Sequence, residues 1–112
     1  MFITYLGDVD MPLETAATTH STNFRNDTMR EIPVKITVLK SHKTPLASGQ
    51  FAAFIFEKWQ STEYRNVSLI RINAYTLLGK ELFILSTDRN VDYWEKMQPD
   101  FQMIVNSFAA AN

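Results

Sequence analysis

The chain has no cysteine, which excludes disulfides, thiolate metal sites and a cysteine nucleophile and leaves the redox compartment open. Glycine is scarce, with three among 112 residues. The Gly-rich loops that cradle phosphates in Walker and dinucleotide folds are therefore missing, and no serine stands in a Gly-x-Ser-x-Gly elbow. An excess of one charge is also missing: 11 basic and 12 acidic residues leave a net charge of -1, so no overall field draws the protein to nucleic acid or an anionic bilayer. Nor is there an apolar run long enough to span a membrane. The start, MFITYLGDVDMP, lacks a basic region and makes a poor signal peptide, so the chain as written reads as cytoplasmic, or as exported if a leader has been removed.

Hydrophobic residues make up 46% and charged residues 21%, the proportions of a soluble globular protein, and the length suits a single domain over 1–112 with one core. Eight phenylalanines suggest that large rings fill that core. The strongest pattern lies at the C-terminus, where Trp94, Met97, Phe101, Ile104, Val105 and Phe108 recur at helical spacing on one face. Pro99 falls inside this pattern and predicts a break or kink between pieces near 91–97 and 99–110, with Asp88 or Asn90 capping the start.

The sheet for this helix to cover comes from upstream. Strands are expected over FITYL (2–6), IPVKITVLK (32–40), QFAAFIF and its continuation, VSLIRINAYT (67–76) and ELFILST (81–87). Over 50–60 a helical stripe competes with the strand reading; the Phe-Ile-Phe run favours a central strand covered on both faces. Gly79 supplies the turn of the 67–87 hairpin. Residues 40–49, with Pro45 and Gly49, read as a loop. The Thr- and Asn-rich stretch 8–30 reads as a polar loop, or as a loop holding a short helix over about residues 12 to 19. The sum is an α+β fold, an antiparallel β-sheet packed against a C-terminal amphipathic helix, with helices on one face.

Candidate chemistry is sparse. His20 and His42 fall in expected loops, without a third metal ligand at useful spacing. Asp8 and Asp10 suit turns and caps better than a calcium loop. Glu57, Glu63, Glu81 and Asp88 read as surface charges, with no two of them placed in one cleft. Arg25, Arg30, Lys35, Lys40 and Lys43 are interleaved with acids and read as a solvated strand edge rather than a nucleic-acid patch. Asn26 and Asn66 head sequons that matter only on a secretory route. Trp59 and Tyr64 could stack on a ligand, although a core ring is the simpler reading of Trp59. No catalytic, cofactor-binding or metal residue is nominated, and no cofactor is expected.

Gly79, Leu82 to Leu85, Trp94, Phe101, Ile104, Ser107 and Phe108 form a strand, Gly-turn, strand and helix sequence that resembles the end of small α+β domains of the PsbP and Mog superfamily, including DcrB-like proteins. The resemblance covers the C-terminal third, and the N-terminal half lacks the longer run of leading strands found there. It implies a non-enzymatic accessory role through binding other proteins, as photosystem assembly factors, small-GTPase binders or secretion-effector chaperones do. The expectation is thus an accessory, protein-binding module using a sheet face or the 8–30 segment. The alternative is a small-molecule binder or small enzyme with a cavity between the sheet and the C-terminal helix, lined by Phe54, Phe56, Trp59, Tyr75 and Trp94, with His42, Glu57 or Arg71 as polar groups. Open sheet edges also permit a homodimer.

Overall fold

The computed structural model describes residues 1–90 and 94–111, apart from the side chains of Asn90, Trp94, Met97, Ala110 and Ala111. Its elements are β1 (Phe2–Asp8), α1 (Leu13–Glu31), β2 (Val34–Pro45), β3 (Phe51–Ser61), β4 (Ser68–Leu78), β5 (Glu81–Asn90) and α2 (Trp94–Ala111). The fold class is α+β, as the sequence suggested. All five strands form one antiparallel sheet in the order β1-β5-β4-β3-β2, so α1 carries the chain from one edge to the other.

Strand periodicity decides what each face receives. In β3, Ala52, Phe54 and Phe56 point to one side and Ala53, Ile55 and Glu57 to the other, all buried. The first set joins Ile70, Ile72, Ala74 and Leu85 beneath Phe101, Val105 and Ala109 of α2. The second joins Tyr75, Leu82 and Ile84 beneath Ala16 and Ala17 of α1. The two helices therefore lie on opposite faces, not on one as expected. This explains the doubly apolar run in β3: a central strand with a helix on each side is dry on both faces.

The segment 8–30 is chiefly a helix of 19 residues rather than a loop, and the short helix expected over about 12–19 covers only its first part. Its buried residues are Ala16, Ala17 and Ser21, side chains too small to draw an apolar stripe in the sequence. Polar Thr and Asn occupy the exposed remainder, where tertiary contact outweighs their weak helix propensity. β2 runs through Pro45, so the turn to β3 is confined to residues 46–50. Thr87 to Asn90 extend β5 instead of capping α2. α2 passes through Pro99 as one helix from Trp94; the expected start at 91–93 lies outside the described residues. Gly79 has φ 66° at the tight β4–β5 turn, as a hairpin of this length requires.

Candidate functional site

Cross-strand register assembles a polar cluster on the α1 face. Glu57 of β3 stands opposite Arg71 of β4, which stands opposite Asp88 of β5. One step along, Ile55, Asn73 and Ser86 form the next row, and Ala53, Tyr75 and Ile84 the one after. α1 supplies Arg25, His20, Ser21 and Phe24 from above.

Glu57 is 1% exposed and is the hub. Its Oε1 accepts from Trp59 Nε1 at 3.1 Å and Asn73 Nδ2 at 3.2 Å, and its Oε2 faces Arg25 Nη1 at 3.3 Å. Asn73 Oδ1 in turn accepts from Ser86 Oγ at 2.6 Å. Arg25 also donates to Ser21 and Thr22 within its own helix, which fixes the guanidinium over the carboxylate. Burial of an ion is costly unless paired and hydrogen-bonded, and here one charge and two neutral donors meet that need.

Arg71 donates to Asp88 Oδ2 at 3.0 Å, and its guanidinium lies 4.5 Å from the Trp59 ring centroid and 5.7 Å from that of Phe2. Its Nε is buried without a hydrogen-bond partner. Nearby, His20 Nδ1 and Tyr75 Oη are 2.8 Å apart. Burial and then the Glu57 charge push the Tyr75 phenol up, so it stays protonated, while burial alone lowers His20, so the imidazole is neutral near pH 7.

Between α1 and the β1–β5–β4 side of the sheet these groups border a cavity of about 130 Å³, whose walls include Phe2, Thr4, Phe24, Arg71, Tyr75 and Ser86. A second hollow, about 260 Å³, lies on the β2 side of α1 beside Glu14, Thr18, Ser41 and Lys43. Both hollows lie on the α1 side, whereas the cavity expected from the sequence was placed between the sheet and the C-terminal helix. Of its expected lining, Tyr75, Trp59, Glu57 and Arg71 belong to the α1 side, whereas Phe54 and Phe56 pack under α2 and the Trp94 side chain lies outside the described residues.

Other expectations also shift. Neither histidine is in a loop: His20 is half-buried in α1, and His42, on β2, stacks on Phe54 and Phe56 at 5.4 and 5.7 Å. Glu57 is buried, whereas Glu63 and Glu81 are exposed as expected. The basic residues do not form a patch: Arg25 turns inward, Arg30 pairs with Asp27, and Lys43 pairs with Glu14 at 2.5 Å. Tyr64 is 65% exposed and remote from the cavity. Among the described residues no group of three or more His, Asp or Glu could hold a metal ion, and no helix is long and apolar enough to cross a membrane. Asn73 and Ser86 escaped the sequence reading, and Arg25 was read only as part of a solvated strand edge; a polar residue on the inward phase of a strand, as at Asn73, was the available signal.

The arrangement defines a five-stranded antiparallel sheet between two helices, with a polar hub under one of them. No family profile and no curated protein matches the chain. Among solved structures, the crystal structure of PA94 from Pseudomonas aeruginosa, a protein of unknown function, is similar over 94% of this chain and 78% of that one, with TM-score 0.59 and 11% identity. At that identity the likeness shows the fold alone.

Proposed function

We propose that the protein is a non-enzymatic accessory module that binds an extended segment of another protein along its β1 edge. The observation carrying this reading is the contrast between the two sheet edges. β2 carries Lys35, Lys40 and Lys43 and ends at Pro45, marks of a protected edge, while each edge strand holds one register shift, between Val38 and Lys40 in β2 and between Tyr5 and Gly7 in β1. Residues 1–6 have no charged side chain, and Phe2, Ile3 and Tyr5 are each about half exposed, at 49%, 46% and 52%. An unguarded edge of this kind pairs with an added strand, main-chain bonds giving affinity and alternate side chains giving selectivity. The surfaces expected from sequence suit the role less well, because a helix covers part of each sheet face and the 8–30 segment is itself one of those helices.

The test is site-specific photo-crosslinking in producing cells, with the reactive residue at Ile3 or, on the opposite edge, at Lys35. A discrete protein adduct from position 3, absent from position 35 and lost when Tyr5 is changed to Lys, supports the reading. Equal adducts from both edges, or none from position 3, overturn it.

A further inference from the structure

We infer that a second copy of this chain occupies the β1 edge when no partner does, its own β1 pairing antiparallel across a two-fold axis at Thr4. The inference rests on the reading of β1 as the binding edge and names what covers that edge in the free protein. Backbone phase supplies the first observation. The two-residue turn at Gly79 and Lys80 makes Leu78 and Glu81 a hydrogen-bonded pair, so the alternate residues Leu82, Ile84 and Ser86 of β5 turn their amides to β1. Their partners are Gly7, Thr4 and Phe2, which leaves the amides of Ile3 and Tyr5 pointing out of the sheet.

The second observation is that these residues complement themselves. Setting Ile3 against Tyr5 of the second copy lets both residues of each copy donate and accept. On the α2 face, where the Tyr5 ring lies 5.3 Å from Phe83, this register pairs an aromatic with a β-branched residue; on the α1 face it sets Thr4 against Thr4. Both combinations stabilise antiparallel sheets, and without a charged side chain in residues 1–6 no like charges meet. The third observation is area. The helices pack chiefly on β2 to β5, and half of each of Phe2, Ile3 and Tyr5 stays exposed. With the freed main chain, pairing buries on the order of 800 Å² in total, below the roughly 1,200 Å² of a stable interface. The dimer is therefore weak and reversible, and because the same amides serve both, a partner segment and the second copy exclude each other.

The chain has no cysteine, so single-cysteine variants report the register. Thr4 on the two-fold has about 4.5 Å between its Cα atoms, within disulfide reach, whereas Ile3 is diagonal to its equivalent at about 7–8 Å and outside it. On mild oxidation of the full chain, Thr4→Cys should form a disulfide dimer at least about tenfold faster than Ile3→Cys or than Lys35→Cys on the opposite edge. Sedimentation of the unsubstituted chain should show reversible dimerisation between about 1 μM and 1 mM, lost in Tyr5→Lys, whose circular dichroism checks its fold. Equal oxidation rates, fastest closure at Ile3→Cys, a chain monomeric to about 1 mM, or a dimer that persists in folded Tyr5→Lys overturns the inference. The two readings fail separately. A position 3 photo-adduct with a different protein, from a chain that stays monomeric, keeps the binding edge and overturns self-pairing; an adduct with the mass of two copies alone supports self-pairing and overturns the separate partner.

Discussion

Replacing Glu57 by Gln tests the polar hub at its centre. The amide can keep one oxygen where Trp59 and Asn73 donate, but its NH₂ group then faces Arg25, donor against donor. The pair is lost, and a guanidinium only 17% exposed is left without its counter-charge. Breaking a buried pair from one side costs about 3–5 kcal/mol. Ser21 and Thr22 still accept from Arg25, which argues for the lower end, about 3 kcal/mol. Against a domain stability of about 5–15 kcal/mol, this is a large fraction. The assay is urea unfolding followed by tryptophan fluorescence, with the slope checked for constancy so that a midpoint shift reads as stability. Arg25→Met should be comparably harmful, because it leaves the buried carboxylate with neutral donors only. The double variant should lose clearly less than the sum of the singles, with a coupling of about 2 kcal/mol. A Glu57→Gln loss under about 0.5 kcal/mol, or additive singles, would refute the account of a mutually dependent buried pair.

Phe101 is 3% exposed under α2, so Phe101→Ala should cost about 3–5 kcal/mol in the same assay. Phe108 is only partly buried, its ring 5.4 Å from that of Phe83, so Phe108→Ala should cost clearly less; the reverse order would displace α2 from its described seat. Burial holds folded His20 below its usual 6.5, so as pH falls through that value the unfolded chain takes up a proton that the folded chain resists. Stability should therefore be level above about pH 7 and fall toward about pH 5.5, with a shallower fall in His20→Gln; His42, lowered by burial and Lys40, supplies the remaining slope. An identical slope in the variant would remove His20 from the account.

What the sequence determined by itself is the part governed by short-range period. Alternation in IPVKITVLK identified a strand, the Phe-Ile-Phe run favoured a strand over 50–60 where a helical stripe competed, and Gly79 marked the hairpin turn, since each signal needs only neighbouring residues. The apolar spacing of Phe101, Val105 and Phe108 likewise marked α2. α1 was legible only as a short helix over its first part, because its sheet contact is made through Ala16, Ala17 and Ser21, whose small size becomes informative only when a sheet lies close against them. The polar hub was hidden for a related reason. Arg25 and Glu57 are 32 residues apart, and Asn73 and Ser86 come from two further strands. Each alone reads as a surface polar residue. Only strand register, and a helix crossing the face opposite to α2, brings them out of water together, where partner geometry rather than residue type decides whether a buried charge is tolerated.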